Sequence, residues 1–310
     1  MSDSETTSQT IVETALRSQR EYWKSIPEKV LAIPGQEFPH EGPRRVILLG
    51  VGSSYFAAKL TAYTLIRDRS RIRIPVLVCK STGFGVEVLP SRGDWVIGFT
   101  HRGRTESTLK ALDMASQLGC FTIQVSAQDV IQAPGAKFLL ETTPVEKAEP
   151  HTMAVTGSIC AVTTLLSGIK LAEEWEALRS LGDPDLDLMK KRAGKGANIL
   201  LGEWEGEWIA REGALKLLEM AGLPARAYSS EEFFHGPRFE YSREKDVIWH
   251  VSLPKDPRES MIRAAHSIGV YGSSPLAWVP ALVEMQWLAL ATALNLGVNP
   301  DRPALADPST

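Results

Sequence analysis

The sequence predicts an α/β fold in which one unit, a parallel sheet flanked by helices, occurs twice in tandem. In the first half, short runs rich in β-branched residues alternate with helical stretches, which is the pattern of a doubly wound parallel sheet. A turn-forming cluster at residues 181–187 (LGDPDLD) interrupts the alternation. The same alternation restarts at Ala197, so two halves of similar size suggest a repeat of one fold.

The first half contains more predicted strands than the second. A helix is predicted over residues 10–23, followed by a linker rich in Pro, Gly and charge at residues 35–44. Helical periodicity predicts helices over residues 54–67 and 105–118, and one long helix over residues 153–178 closes the unit. Apolar runs predict strands at residues 45–49, 74–79, 95–99, 120–125 and 137–140.

The second half begins with a short helix, a strand from Ala197 and a helix that carries Glu212. Its last apolar segment, residues 282–296, is interrupted by Glu284 and Gln286 and is too short to span a bilayer, so we predict a core helix there. The predicted organisation is a tail and helix at 1–43, a first subdomain at 44–180 and a second at 190–303.

Composition narrows the classes of function. The 310 residues are 44% hydrophobic and 23% charged, as in an ordinary globular protein, and the net charge of −3 gives no reason to expect nucleic-acid or membrane partners. The three cysteines lie far apart, which indicates core thiols in a reducing compartment. The first ten residues are polar and acidic, without the pattern of a secretory signal, so a cytoplasmic protein is expected.

Two loops at predicted strand-to-helix junctions carry anion-binding signals. The first is Gly50-Val51-Gly52-Ser53-Ser54, where glycines allow close backbone approach and two hydroxyls stand at a helix start. This pattern is equally common as a simple packing turn. It lacks the third glycine and the acidic residue of the dinucleotide fingerprint, so no nicotinamide cofactor is expected.

The second loop is Thr100-His101-Arg102-Gly103-Arg104-Thr105, also at a strand end. Its hydroxyls and arginines around a glycine suit a phosphate or another anion. An ordinary capped helix start with solvated arginines is the alternative, and it is favoured if the loop is considered alone. Because open α/β sheets bind ligands at the carboxyl ends of their strands, two such loops on one edge strengthen the anion-site interpretation.

The helix after Ala197 carries three charged residues on one face. At about 100° per residue, Glu212, Lys216 and Glu219 lie within roughly 60° of one another, and apolar residues border them. A half-buried carboxylate beside a lysine can take and return a proton, although an i, i+4, i+7 ion-pair ladder has the same spacing. His235, in the His235-Gly236-Pro237 turn, offers a second proton-transfer group.

Together, both loops, the charged helix face and the His-Gly-Pro turn resemble the double sugar isomerase (SIS) domain family. The resemblance spans residues 44–303 and includes the isomerase half of glucosamine-6-phosphate synthase and its stand-alone relatives; its most specific part is LGEWEGEWIAREGALKLLEMAGLPARAYSSEEFFHGP at residues 201–237. It implies two tandem flavodoxin-like subdomains, a dimer and a sugar-phosphate substrate.

The resemblance also implies roles for individual residues. Glu219 matches the base that moves a proton between C1 and C2, and His235 matches the residue that assists ring opening from the neighbouring subunit. Glu212 and Lys216 match polar residues of the same pocket. The implied phosphate-binding residues are Gly52, Ser53, Ser54, Thr100, His101, Arg102 and Thr105.

Two departures from the family pattern affect the substrate. The usual Ser-x-Ser-Gly-x-Thr loop reads Thr100-His101-Arg102-Gly103-Arg104-Thr105, so guanidinium ions replace small neutral groups, which would tighten a dianion clamp or indicate another anion. The family's tail lysine has no counterpart in residues 299–310, where Asp307 stands at about its position. This favours substrates that already carry nitrogen at the reacting carbon.

We therefore predict a sugar-phosphate isomerase, deaminase or deglycase that uses acid–base transfer at C1/C2, with no metal and no other cofactor. A non-catalytic sugar-phosphate sensor is the alternative, but a pure sensor would not need Glu219 and His235. His151, His250 and His266 show no partner pattern and are expected to be structural or surface residues.

Overall fold

The computed structural model describes residues 9–68, 73–192, 196–242, 245–254, 256, 258–262, 266–270 and 272–302. The predictions for the first eight residues and for the tail around Asp307 lie outside this part of the chain. Its helices are α1 (Ile11–Leu31), α2 (Ser53–Arg67), α3 (Glu106–Gln117), α4 (Met153–Ser167), α5 (Ile169–Ala177), α6 (Leu186–Arg192), α7 (Glu205–Ala221), α8 (Ser230–Phe234) and α9 (Val279–Leu296).

Two parallel sheets confirm the predicted fold class. The first has the order β2-β1-β3-β4-β5, and the second has the order β7-β6-β8-β9, so the first four strands of each unit follow the same path. All recorded strand pairs within the two sheets are parallel. The strands are β1 (Val46–Gly50), β2 (Val76–Lys80), β3 (Trp95–Phe99), β4 (Phe121–Ser126), β5 (Phe138–Glu141), β6 (Asn198–Gly202), β7 (Ala225–Ser229), β8 (Val247–Ser252) and β9 (His266–Gly269).

The first sheet is covered on both faces, as its nearly continuous apolar strands require. Alternate residues of β1 point to opposite sides: Val46 and Leu48 join one core cluster, whereas Ile47 and Leu49 join another with Leu112 of α3. The larger cluster continues from α1 and α4 through α7 to α9, so the two halves share one apolar core.

Two predicted helices have different bounds in the structure. The first helix continues past residue 23 to Leu31, because the buried stripe of Trp23, Ile26 and Val30 outweighs the missing N–H of Pro27. The single helix predicted over 153–178 is wrong. Gly168, with φ +73°, ends α4 and starts α5, a backbone conformation that glycine adopts at little cost.

Helix α9 confirms the predicted core helix and begins three residues earlier than expected, at Val279. Within the described residues it is the one helix long and apolar enough to cross a membrane. However, 72% of it is buried inside the protein, where it packs against α7. It therefore supports the helix that carries the predicted proton-transfer residues.

The sheet order places both predicted anion loops side by side. Strand β1 lies between β2 and β3, so the chain leaves β1 and β3 in opposite directions across the sheet. Such a switch point leaves a crevice at the carboxyl ends of the two strands, where α/β proteins bind ligands. The loop at residues 50–54 follows β1, and the loop at residues 100–105 follows β3.

Gly50 ends β1 where the chain turns into α2, and we expect Gly50→Ala to destabilise the protein. A Cβ atom at this position would lie 2.4 Å from the carbonyl carbon of Ser54, which is backbone and cannot move aside. The expected loss is about 2–3 kcal/mol in the free energy of unfolding, measured by urea denaturation. Gly35→Ala is the matched control, because nothing lies within 4 Å of its added Cβ. Equal midpoints for the two variants would contradict this account.

Candidate functional site

A cleft of about 500 Å³ lies at the switch point between the first sheet and helix α7. It brings together most of the residues that the sequence singled out, from both loops and from the charged helix face. Three members of the predicted set do not line it: Thr100 faces a smaller cavity beside it, Glu212 is buried behind the cleft wall, and His235 lies in the second half. The cleft is lined by Val51, Gly52, Ser53, Ser54, His101, Arg102, Arg104, Thr105, Glu149, His151, Leu215, Lys216 and Glu219.

The loop after β3 is held in shape by its own hydrogen bonds. The backbone N–H of Gly103 donates to the carbonyl of Thr100 (2.9 Å), and the Thr100 hydroxyl accepts from the backbone N–H of Thr105 (3.4 Å). Gly103 has φ +61°, which glycine adopts without strain. The loop therefore presents Thr100, His101 and Thr105 from a fixed backbone.

Arg102, predicted as part of a dianion clamp, makes contacts with the loop after β5 that the prediction did not include. Its guanidinium donates to the backbone carbonyls of Glu146 (3.2 Å) and Ala148 (3.1 Å) and pairs with the Glu149 carboxylate (3.3 Å). The side chain lines the cleft, but much of its hydrogen-bonding capacity fastens the loop after β5 to the loop after β3. Arg104 is exposed and makes no recorded hydrogen bond or ion pair with a described residue.

The loop after β5 is built around Glu146, a fully buried carboxylate. It accepts hydrogen bonds from the backbone N–H groups of Thr152 and Ala154 and from the Thr152 hydroxyl, all at 2.9 Å. Burial raises the pKa of Glu146, and these donors oppose that rise. Because Glu146 fixes both ends of this segment, it also fixes His151, which lies between them.

Helix α7 brings its charged residues into one compact network with the first loop. Lys216 Nζ donates to Glu219 Oε2 (2.5 Å) and to the Ser53 hydroxyl (3.0 Å), which donates in turn to Glu212 Oε1 (3.1 Å). Lys216 also lies 3.4 Å from Glu212 Oε1. Ser53 thus links the two halves of the chain, a contact that its prediction as a phosphate ligand did not include.

Burial divides this network into a hidden part and an open part. The side chains of Glu212 and Lys216 are 0% and 1% exposed, whereas that of Glu219 is 30% exposed and reaches the cleft. Burial raises the pKa of Glu212 against the effect of Lys216. Burial alone would lower the pKa of Lys216, but Glu212 and Glu219 outweigh it and raise that pKa. Lys216 therefore stays an ammonium ion and holds the Glu219 carboxylate in place.

A small inner cavity of about 20 Å³ adjoins the cleft. One of its lining residues is His151, which was expected to be a structural or surface residue. His151 lines both spaces, and its ring meets that of His101 edge-on with centroids 4.6 Å apart. The strand-edge rule could have identified His151, because it follows the strand predicted at residues 137–140. The polar lining residues of the cavity are Ser53, Ser54, Thr100, His101, Ser126, Thr142, His151 and Ser158.

The two histidines are predicted to make stability depend on pH. Burial, then Arg102, lowers the pKa of His101 to about 4. Burial, then the charges of His101, Lys216 and Arg102, lowers the pKa of His151 to about 3. The unfolded chain, with ordinary histidine pKa values near 6.5, then binds more protons below that pH, so stability present above pH 6.5 is lost as pH falls towards 4 and 3.

We expect each histidine to contribute about 1.4 kcal/mol of this loss by pH 5.5. Urea denaturation of the wild type and of the double variant His101→Gln/His151→Asn between pH 7.5 and pH 5 measures it. In the double variant, the free energy of unfolding should depend less on pH than in the wild type. His40→Gln, at an exposed position, should keep the wild-type dependence. A double variant as pH-dependent as the wild type would contradict the prediction.

His235 does not reach the cleft of its own chain. Its side chain is 70% exposed, and Nε2 lies 3.0 Å from Glu231 Oε1. Arg258 donates to both oxygens of Glu231, from Nε to Oε2 and from Nη2 to Oε1, each at 2.5 Å. The pKa of Glu231 is lowered to about 2, first by Arg258 and then by His235. The His235 imidazole thus lies on the surface, where it contacts Glu231, and Arg258 fixes the position of that carboxylate.

The loop after β6 occupies the position of the first anion loop but has opposite chemistry. Trp204 adopts φ +49°, close to the +57° of Gly52, and Glu203 Oε1 accepts from the backbone N–H of Glu231 (2.6 Å). Glu205 is buried and pairs with Arg67 of α2. Carboxylates thus stand where the first half has hydroxyls, which disfavours a second anion site at this edge.

His250 and His266 were expected to be structural or surface residues, and no metal was expected. His250 is buried, with Nε2 2.8 Å from Asp256 Oδ2, and His266 packs on Trp249, so both are structural. Among the described residues, no group of three or more His, Cys, Asp or Glu side chains could hold a metal ion.

Comparison with curated proteins finds similarity to isomerizing glutamine–fructose-6-phosphate aminotransferases. A glutamine–fructose-6-phosphate aminotransferase (isomerizing) from Pyrobaculum aerophilum is 26% identical over 309 residues, which cover 84% of this chain and 50% of that protein. The corresponding protein of Aquifex aeolicus is 29% identical over 230 residues, covering 69% of this chain and 38% of that protein. The chain thus spans about half the length, or less, of these relatives. No model of a known protein family matches it.

Comparison with solved structures finds the same fold over almost the whole chain. The C-terminal domain of glucosamine-fructose-6-phosphate aminotransferase from Francisella tularensis matches with a TM-score of 0.77 and 17% identity, covering 97% of this chain and all of that one. Tagatose-6-phosphate ketose/aldose isomerase from Escherichia coli has a TM-score of 0.76, 18% identity and 96% coverage of both chains. Glucosamine-6-phosphate deaminase from Thermotoga maritima has a TM-score of 0.73 and 19% identity, covering 96% of this chain and 98% of that one.

Proposed function

We propose that this chain, which resembles the double sugar isomerase family in both sequence and fold, moves a proton between C1 and C2 of a phosphorylated sugar or amino sugar. The observation that carries the proposal is the position of Glu219. Its carboxylate lines the same cleft as the two hydroxyl-bearing loops and contacts a buried ammonium ion at 2.5 Å. A carboxylate fixed beside a bound substrate is the group that such proton transfer requires.

In the proposed reaction, Glu219 removes the proton from one carbon and returns it to the neighbouring carbon of the resulting enediol or enolamine. Lys216 occupies Oε2, and no described residue is recorded as donating a hydrogen bond to Oε1, which leaves that oxygen for the substrate. Lys216 fixes the position of the Glu219 carboxylate, while Glu212 and Ser53 hold Lys216.

The phosphate of the substrate is proposed to lie between the two loops of the first half. Gly52 gives the backbone room, and the Ser54 and Thr105 hydroxyls, with His101, offer neutral hydrogen-bond donors. The Thr100 hydroxyl donates to that of Thr105 and so orients it. Ser53 contributes indirectly, through its bonds to α7. Arg102 supports the loop after β5, and Arg104 is the exposed cation at the cleft.

Three reaction types share this first proton transfer: aldose–ketose isomerisation, deamination of an amino sugar phosphate and deglycation of a sugar–amine adduct. The experiment that tests the proposal is proton NMR in D2O with hexose 6-phosphates, hexosamine 6-phosphates and ketosamine 6-phosphates. Deuterium should appear at C1 or C2 of one compound. The product formed from that compound identifies the reaction type. If one compound raises the melting temperature but none exchanges, the chain is a sensor and the proposal is wrong.

We also propose that the active unit is a cytoplasmic homodimer in which His235 of one subunit completes the cleft of the other. Support comes from the exposed position of His235 and from its absence among the residues that line its own cleft. In a two-fold dimer the arrangement would be reciprocal.

Mixing two inactive variants tests this sharing. Glu219→Gln and His235→Ala subunits, unfolded together and refolded in equal amounts, should regain about a quarter of the wild-type activity, because half of the dimers are mixed and each mixed dimer has one intact site. Each variant refolded alone is the control. No recovery in a sample shown to contain mixed dimers would contradict the shared site.

A further inference from the structure

His151 lines the candidate anion site and carries a buried nitrogen, Nε2, without a hydrogen-bond partner among the described residues. The ring lines both the inner cavity and the cleft, beside Ser54 and Thr100. A buried polar atom without a partner destabilises the protein, so such an atom in a binding site indicates a ligand that supplies the missing partner.

The neighbouring His101 is fixed in a neutral form. Its Nε2 accepts the backbone N–H of Glu146 at 2.9 Å and therefore carries a lone pair, which places the single ring proton on Nδ1. Protonation at Nε2 would break this bond and leave the buried N–H of Glu146 unpaired. Of the two rings in contact, only His151 can gain a proton without losing a recorded hydrogen bond.

The permanent cations near the cavity are already occupied. Arg102 is bound to two backbone carbonyls and to Glu149, and Lys216 is bound to Glu219 and Ser53. Arg104 lines the cleft but not the inner cavity. On the side of the inner cavity, a doubly charged anion would therefore meet no free cation among the described residues, and only Arg104 could approach it from the cleft. The charged and titratable groups around His151 are His101, Arg102 and Arg104 after β3, Glu146 and Glu149 after β5, and Lys216 and Glu219 on α7.

We infer that His151 takes up a proton from solvent when a tetrahedral dianion binds at the junction of the inner cavity and the cleft, and that its Nε2–H then donates to that dianion. The inference deepens the proposed function, on whose phosphate site it rests. Before binding, burial and the nearby positive charges keep the ring neutral and hold its pKa at about 3. A dianion in contact supplies the opposite charge and raises that pKa by roughly 2–6 units.

Proton uptake makes affinity depend on pH in a defined direction. Between the pKa of His151 in the free site and the higher pKa in the complex, binding brings a proton with it. Affinity for a dianion of constant charge should therefore increase as pH falls through the pKa of the complex, by up to about tenfold per pH unit. A cradle of hydroxyls and neutral imidazoles would instead bind with constant affinity.

The test uses sulfate, which stays a dianion over the whole range and so contributes no titration of its own. The protein is labelled with ¹³C at histidine Cε1, and its six histidines are titrated from pH 8 to pH 5 with and without saturating sulfate. Without sulfate, the His151 resonance should not titrate in this range, because its pKa in the free protein is about 3. With sulfate, the same resonance should titrate with a pKa of about 5 or above. The same resonance should be missing in His151→Asn.

Matched variants separate His151 from its neighbour. His151→Asn should weaken sulfate binding at pH 6 by about tenfold or more and remove the pH dependence of the dissociation constant. His101→Gln should weaken binding but keep that dependence, and His40→Gln should change neither. The inference is wrong if the shifted resonance belongs to His101, if no resonance shifts, or if His151→Asn keeps the wild-type pH dependence.

The outcome can be distinguished from that of the proposed function, because sulfate binding requires no turnover. Proton uptake without deuterium exchange on any sugar phosphate would leave His151 as part of an anion site and reject the isomerase proposal. Exchange on a sugar phosphate without a shifted His151 resonance would support the isomerase proposal and overturn this inference.

Discussion

Lys216→Met is expected to lower the free energy of unfolding by about 3–5 kcal/mol, the largest loss of stability that we predict for a single substitution in this chain. Methionine has nearly the same length but removes the ammonium ion of Lys216, which, among the described residues, is the one that contacts the fully buried Glu212. The Ser53 hydroxyl would also lose a donor. Urea denaturation at pH 7.5 measures the effect. An unchanged slope of the free energy of unfolding against urea concentration would confirm that the transition stays two-state.

A second substitution tests whether the unpaired charge causes the loss. Glu212→Gln in the Lys216→Met background removes the buried charge and should restore much of the stability, since replacing both partners costs less than replacing one. Lys110→Met is the matched surface control: Lys110 pairs with Glu106 at 2.6 Å, but both are more than 75% exposed, so no measurable change is expected. If the double variant is less stable than Lys216→Met alone, the charge explanation fails.

Glu219→Gln is expected to reduce kcat for the proposed proton transfer by about 10²–10⁴-fold. The amide keeps the shape of the side chain but cannot take a proton from carbon at neutral pH. KM should change little, because the loops that are proposed to hold the phosphate lie on the other half of the chain. Deuterium incorporation from D2O under single-turnover conditions measures the chemical step directly.

Two controls accompany this variant. Its melting temperature and its affinity for inorganic phosphate show whether the fold and the anion site are intact. Glu176→Gln, at a surface pair with Lys24, should exchange at the wild-type rate. If Glu219→Gln is folded, binds phosphate and still exchanges at that rate, another group is the base.

Much of the fold could be predicted because its determinants are local in sequence. The apolar runs of the first sheet lie where strands were expected, whereas the strand order that creates the switch point is known only from the structure. The predicted ends of helices were less accurate where a single proline or glycine opposes the helical pattern of the residues around it. Pro27 did not end α1, because its neighbours on the buried stripe pack into the core, and Gly168 ended α4 through its backbone conformation alone.

The candidate site was predictable where a single segment carries the signal. Glu212, Lys216 and Glu219 share a face by helical geometry, and the two loops meet because parallel strands end at one edge. Contacts between distant segments were not predictable. Arg102 is 44 residues from Glu146 in sequence, and only the folded loop after β5 shows that its guanidinium bonds to that backbone.

The position of His151 was also hard to predict, because the strand-edge rule points to the loop after β5 but not to one residue within it. No spacing pattern links it to His101, and the buried carboxylate that fixes its loop acts through backbone N–H groups, which any residue except proline carries. Its position depends on how residues 146–154 fold around Glu146. Sequence periodicity contains no signal of that kind, because the segment forms neither a helix nor a strand before Met153.

The apolar core shared by the two sheets has a consequence for how the molecule responds to its ligand. Buried side chains from α1 to α9 form one cluster, and the Ser53–Lys216–Glu212 bonds cross between the halves at the wall of the cleft. Neither half can then loosen its packing without disturbing the other. We therefore expect a ligand bound at the loops of the first sheet to stabilise both halves together, so that the two sheets unfold in one transition rather than separately.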